Sequence, residues 1–329
     1  LAHGGGGRFS QQLIEEVFLP VFGNPFLNPL NDSAVLDLPS SRLAFTTDSF
    51  TVNPLFFPGG DIGRLAVCGT VNDLSMVGAE PRYLSIGFII EEGFLFDDLK
   101  KIVRSSQEAA EEANVLIVTG DTKVVERDNA DGLFINTSGI GVFTRDIVLS
   151  GDRAQVGDSV IVSGSLGCHG MAIATSREDF GFRSTVRSDV APLNRLVERM
   201  LDTTDQIHVM RDATRGGVAT VLNEIARQSG VGIELEEENI PITEAVKGAC
   251  ELLGFDPLYV ANEGVLVACL AHDKARDVVQ VMRESPYGKR SAIIGSVGSE
   301  PKGKVVLHTQ IGSHRIVDRL SGEQLPRIC

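Results

Sequence analysis

The feature that most constrains this chain is a polar, turn-rich stretch, Ser150-Gly151-Asp152-Arg153-Ala154-Gln155-Val156-Gly157-Asp158, set between two runs of alternating strand and helix patterns. A single core for 329 residues is unusual, because domains of about 150 residues are the norm. A break at this stretch therefore predicts two mixed α/β domains, 1–150 and 151–320, followed by a tail, 321–329, without periodicity.

In the first domain Ser10 to Phe18 predicts a short helix, and Pro20 to Asn31 an irregular stretch. Leu43 to Thr47 predicts a strand ending at Asp48, and Asp61 caps a helix running to about Val77. A strand from Arg82 to Ile90, a helix from Asp97 to Asn114 and an apolar strand, Val115 to Val118, follow; the last ends at Thr119-Gly120-Asp121. Leu133 to Phe143 completes four strands. The second domain predicts strands at Val160 to Val162, Gly232 to Leu235, Gly264 to Leu270 and Ser291 to Val297. Its helices run from Ser163 to Ala174, Pro192 to Leu201, Gly217 to Gln228 and Thr243 to Leu253, with Gly254 as a stop.

A net charge of −14 repels phosphate backbones and anionic membranes at long range, so a nonspecific nucleic-acid binder is excluded. The first 150 residues hold 20 acidic against 10 basic side chains, which concentrates the acidity there. No apolar run approaches the ~18 residues that span a bilayer. Five cysteines with no CxxC and no spacing suited to zinc point to the cytosol rather than to a disulfide scaffold.

No GxxxxGK[ST] loop or strand-linked GxGxxG is present, so any nucleotide must be held by other means. Gly4, Gly5, Gly6 and Gly7 either wrap phosphates with backbone N–H groups or form a loose terminus. Asp48 and Asp121 are expected at strand ends, in dry surroundings. Asp73 falls on a helical stripe with Ile62, Ala66 and Gly69, where a carboxylate needs a proton, a cap or a cation. These acids suit Mg²⁺, or are ordinary turn and helix-end acids. Arg211-Asp212-Ala213-Thr214-Arg215-Gly216-Gly217 is either a glycine-rich helix cap or an anion and metal site. Cys168-His169 reads as a structural loop in preference to a nucleophile–base pair. Cys329, the last residue, has no expected packing role; it is an incidental thiol, an intermolecular disulfide partner or a swinging carrier.

Taken together, Ala2-His3-Gly4-Gly5-Gly6-Gly7-Arg8, Thr46-Thr47-Asp48-Ser49-Phe50, the run Gly60 to Ala79 with Asn72-Asp73, Gly120-Asp121-Thr122-Lys123-Val124-Val125, Met210 to Gly217 and the terminal Pro326-Arg327-Ile328-Cys329 resemble the HypE family. These are carbamoyl dehydratases of nickel–iron hydrogenase maturation. The acid and glycine motifs are shared with aminoimidazole ribonucleotide synthetase, selenophosphate synthetase and thiamine-monophosphate kinase; the last four residues point to HypE. The resemblance implies a two-domain aminoimidazole ribonucleotide synthetase-like fold. It also implies a homodimer whose N-terminal domains close a β-barrel, with ATP and Mg²⁺ near the interface. It further implies that Cys329 receives a carbamoyl group from a HypF-like carbamoyltransferase, that ATP dehydrates the S-carboxamide to a thiocyanate, and that a HypC–HypD complex takes the cyano group. Asp48, Asp73 and Asp121 would then hold metal and phosphates, with Asp212 a fourth, while Lys123 and Glu263 would act where the tail enters or simply pair with each other. A small-molecule phosphotransferase and a maturation scaffold remain the alternatives.

Overall fold

The computed structural model describes residues 12–28, 42–177, 184–319, 325 and 327–329. A π-helical turn, Ile14–Phe18, continues as the α-helical turn Leu19–Phe22, further than the sequence indicates, with Pro20 in the first turn of the α-helical segment. The Gly4 to Gly7 run lies outside the described residues.

Strand β1 (Leu43–Phe50) leads to helix α1 (Ile62–Met76), whose N-cap Asp61 accepts from the N–H groups of Gly63 and Arg64 as expected. Strand β2 (Glu80–Glu91), helix α2 (Phe96–Ala113), strand β3 (Leu116–Val125) and strand β4 (Leu133–Val142) follow. They form a sheet of order β1-β4-β2-β3, antiparallel except for the parallel β2·β3 pair. β1 and β3 run on through Asp48 and Asp121, so neither acid ends a strand. Polar residues following an apolar run suggest ends there, but the ladder continues where one face of the sheet is uncovered.

That uncovered face carries a continuous apolar row. Phe45 pairs with Ile140, Ile140 with Tyr83 and Tyr83 with Leu116; Phe45 is 70% exposed. The opposite face packs on α1, which is buried on nearly every side and lies against the second domain. Asn72 ties the two together: its Oδ1 accepts from Leu193 N at 2.8 Å, and its Nδ2 donates to the carbonyls of Ala191 and Glu263.

The second domain comprises β5 (Asp158–Val162), α3 (Cys168–Ser176), α4 (Asn194–Thr203), β6 (Ile207–Asp212), α5 (Gly217–Ser229), β7 (Gly232–Glu236), α6 (Glu244–Leu253), β8 (Leu266–Ala271), α7 (His272–Arg283), β9 (Ala292–Gly298), β10 (Val305–His308) and β11 (His314–Val317). Its sheet has the order β11-β10-β7-β9-β5-β8-β6, with helices packed on it. The central strands β5 and β8 are buried on both faces, which is why Val160 to Val162 and Leu266 to Ala271 read as unbroken apolar runs. Cys168 and His169 start α3 instead of lying in a loop.

The end of the chain is not a loose tail where it is described. Leu325, Ile328 and Cys329 are all buried, the last at 8% exposure. Thr51 N donates to the Cys329 carbonyl and Asn53 N to that of Arg327, each at 3.0 Å, while Arg327 Nε returns a bond to Thr51 O. Arg327 also pairs with Asp131. Buried apolar side chains such as Leu325 and Ile328 contribute about 2 kcal/mol each, enough to offset part of the ordering cost. The chain end is therefore anchored, against the expectation of a loose tail, by two apolar residues that show no periodicity in so short a run.

Candidate active site

A cavity of about 280 Å³ opens between the domains, lined by Asp48, Asp73, Asp212, Arg215, Glu263 and Cys329. Each wall has a local reason. Thr46 and Asp48 lie on the covered face of β1, and the Thr46 hydroxyl donates to Asp73 Oδ2 at 2.9 Å. Gly69, one turn before Asp73 on α1, also lines the cavity; a Cβ there would lie 2.8 Å from the Phe50 ring. Asp212 ends β6, and the turn that follows delivers Arg215. That turn needs its glycines, since Gly216 and Gly217 have φ of 74° and 60°, and a Cβ on Gly217 would lie 2.5 Å from the Leu258 carbonyl.

Glu263 is held by its neighbours. Asn262 donates to the carbonyls of Ala213 and Val260 and accepts from Gly167 N, while Glu263 N donates to Asp189 Oδ1 at 2.9 Å. The Glu263 carboxyl is buried, and its Oε1 has no hydrogen-bond partner. Burial, then the charges of Asp212, Asp189 and Asp48, push its pKa well up, against the pull of Arg215. Burial, followed by Asp73, raises Asp212 to about 7. Asp73 is also raised, chiefly by burial and further by Asp48.

Cys329 Sγ sits in this cavity and accepts from Arg215 Nε at 3.0 Å. Burial and the nearby Glu263 push its pKa up to about 12 despite Arg215. A thiol in this position is protonated and a poor nucleophile.

The cavity brings together Asp48, Asp73, Asp212, Glu263 and Cys329, but not Asp121 or Lys123. Those two pair with each other at 3.2 Å and are largely exposed, so no Lys123–Glu263 ion pair forms. The register gives the reason. Asp48 faces α1, whereas Asp121 shares a row with Gly87, Asn136 and Ser49 on the uncovered face, at the opposite sheet edge. Three strand spacings separate the two edges, roughly 14 Å. The dry setting expected for Asp121 is therefore corrected: its side chain is 69% exposed.

Three further residues enter from the structure. Arg215 touches the sulfur, the fully buried His169 meets the Ile328 carbonyl, and Asp189 accepts from Glu263 N. Arg215 stood inside a motif already singled out, but nothing local marks Asp189. His169 does not pair with Cys168: its Nδ1 meets Ser188 Oγ and its Nε2 the Ile328 carbonyl. All five cysteines are free, and among the described residues no helix is long and apolar enough to cross a membrane.

Comparisons with known proteins agree with this arrangement. Residues 30–143 match the AIR synthase related protein N-terminal domain, and residues 155–308 its C-terminal domain. The chain is 53% identical to carbamoyl dehydratase HypE of Bradyrhizobium diazoefficiens, over 100% of this chain and 95% of that protein. A crystal structure of hydrogenase maturation protein HypE in complex with ATP superposes with a TM-score of 0.96 at 52% identity, covering 100% of this chain and 99% of the other. A HypE chain in a HypE–HypF complex superposes with a TM-score of 0.82 at 52% identity, over 94% and 99% of the two chains. Full-length similarity of this degree, on a two-domain AIR synthase-like fold ending in a buried cysteine, places the chain in the HypE family of carbamoyl dehydratases.

Proposed function

We propose that the cavity dehydrates an S-carboxamide on Cys329 to a thiocyanate at the expense of ATP, as the source of a cyano ligand for a hydrogenase iron centre. The observation that carries this reading is the buried, unpartnered Glu263 Oε1 in the same cavity as Cys329 Sγ. A carboxamide on that sulfur would bring N–H groups into the cavity, where an acceptor is otherwise costly to bury.

The residues divide the work. An amide oxygen is a poor leaving group, so the γ-phosphoryl of ATP is transferred to it and leaves with it as phosphate. Two N–H protons are lost: one leaves with the phosphate, and Glu263 accepts the other as the C–O bond breaks and the C≡N bond forms. Arg215, already at the sulfur, stabilises negative charge on the carboxamide oxygen and its phosphate. Closure of the cavity around the chain end keeps water from the activated group.

Mg²⁺ fits the donors in a restricted sense. Asp48, Asp73 and Asp212 crowd like charges in a buried wall, although among the described residues no three acids, histidines or cysteines converge as a complete metal site. Mg²⁺ usually takes one or two carboxylates and completes its shell with water and phosphate oxygens. When bound it would spread the charge of the phosphates. It would also offset the aspartate charges that, after burial, raise the Glu263 pKa, and so favour the carboxylate that accepts the proton.

The docked thiol is shielded and protonated, so carbamoylation requires the chain end to leave the cavity and meet a HypF-like carbamoyltransferase. The free cysteines accord with a reducing, cytoplasmic setting. The homodimer closes the apolar row Phe45, Ile140, Tyr83 and Leu116 against a second copy, and β1 and β3 supply open edges for a β-barrel. Asp121 and Lys123 lie on that face and serve the neighbouring copy's site. Delivery of the cyano group to a HypC–HypD complex completes the route. Mass spectrometry of Cys329 after incubation with carbamoyltransferase, carbamoyl phosphate and ATP tests the reading: a carbamoyl adduct that loses one water supports it, and an unmodified Cys329 contradicts it.

A further inference from the structure

The docked chain end is held at its outer residues by partly exposed groups: Arg177 donates to the Arg327 carbonyl, and Arg327 pairs with Asp131. Next to the reactive cysteine the anchor is different. His169 is fully buried at the start of α3, and its Nε2 lies 2.6 Å from the Ile328 carbonyl, one residue before Cys329. A carbonyl only accepts, so Nε2 carries the proton. Nδ1 is then an acceptor, and the Ser188 hydroxyl, 2.8 Å away, donates to it. Ser188 Oγ in turn accepts from Val190 N at 3.0 Å, and Ser188 N donates to the Pro58 carbonyl. Phe57 packs edge-on against the imidazole, with ring centroids 5.4 Å apart. Every polar atom of the His169 ring is thus satisfied, and only one tautomer permits it.

We propose that His169, oriented by Ser188, is the latch that holds the chain end in the cavity and is therefore a positioning residue for Cys329. Undocking leaves a buried Nε2–H without an acceptor, so the bond weights the equilibrium toward the docked state. The backbone bonds from Thr51 and Asn53 set the register of the chain end, whereas the imidazole can be changed without touching that register. The latch itself rests on the docking geometry; only its consequence for turnover rests on the dehydratase reading.

The test is the alkylation rate of Cys329 by iodoacetamide in the full-length protein without nucleotide, mapped by peptide mass spectrometry. Docking shields this thiol, so the rate reports the undocked population. His169→Ala is expected to raise it about tenfold, the value of one buried hydrogen bond. His169→Gln, whose amide can donate to the same carbonyl, should restore a rate within about twofold of wild type. Ser188→Ala should raise it by roughly threefold. Cys168, the neighbour of His169, is the internal control. If His169 only stabilises α3, Cys168 and Cys329 will gain reactivity together, which would overturn the proposal. A folded His169→Ala protein labelled at the wild-type rate would overturn it as well. Should His169→Ala fail to fold, Ser188→Ala decides: an unchanged Cys329 rate contradicts the latch. Because no ATP or carbamoyltransferase is used, failure here is separable from failure of the dehydratase reading.

Discussion

The two faces of the four-stranded sheet carry the same residue types in opposite states. On the covered face Asp48 lines the cavity with Asp73, Asp212 and Glu263, and burial raises the pKa values of the last three. On the uncovered face Asp121 is open to solvent and paired with Lys123. The two strands differ little in local sequence. The difference teaches that the face an acid occupies, set by the period of two along a strand and reset in β3 by a bulge at Val118, decides whether it is buried among like charges or solvated.

The largest effect should come from Cys329→Ala. Thiocyanate formation should be lost completely, with folding and ATP binding nearly unchanged, as tested by intact mass and nucleotide titration. A protein-bound cyano group in that variant would place the nucleophile elsewhere. Next, Asp73→Asn should cut ATP turnover on the order of a hundredfold or more while leaving the fold intact by circular dichroism, because it removes charge at constant shape. Wild-type turnover would take the covered face out of the chemistry.

The uncovered face has its own test. Lys123→Ala alone should be nearly inactive. Mixing it with Asp73→Asn protein and allowing exchange should recover about a quarter of wild-type activity, since half of the dimers are mixed and each has one intact site. No recovery would deny that the two faces meet across copies.

The smallest effect concerns pH. Burial lowers the His169 pKa from 6.5 to about 4, with the Ile328 carbonyl opposing. A depressed folded pKa gives stability that is present above about 6.5 and is lost as pH falls through 4, up to about 3 kcal/mol. Thermal unfolding of His169→Gln between pH 7 and 4 should show a correspondingly shallower decline; an identical slope would mean that His169 titrates freely.

Much of the fold was legible because burial and period coincide. Asp61 before an apolar stripe marked α1, and Thr243 and Gly254 bracketed α6. Helix α7 was missed although Ala275, Val278, Val279 and Met282 carry its spacing. β6, β10 and β11 are short and partly polar, and only pairing with neighbours defines them. In the site, Asp73 was legible because its stripe demanded a partner. The face of Asp121 is not legible locally, because it depends on the bulge at Val118 in the ladder to β2, which no local pattern reveals. The docking of Cys329 depends on Thr51, Asn53 and His169, all more than 150 residues away in the chain, so no window around Cys329 contains it.

The central claim is that the covered acids act on a docked Cys329, with Glu263 taking the proton. The most direct measurement is intact mass of Cys329 in wild-type and Glu263→Gln protein, before and after ATP, following enzymatic carbamoylation. The wild type should gain the carbamoyl group and then lose one water when ATP is added. Glu263→Gln should gain the same group and keep its oxygen. Loss of water from Glu263→Gln at the wild-type rate would contradict the account.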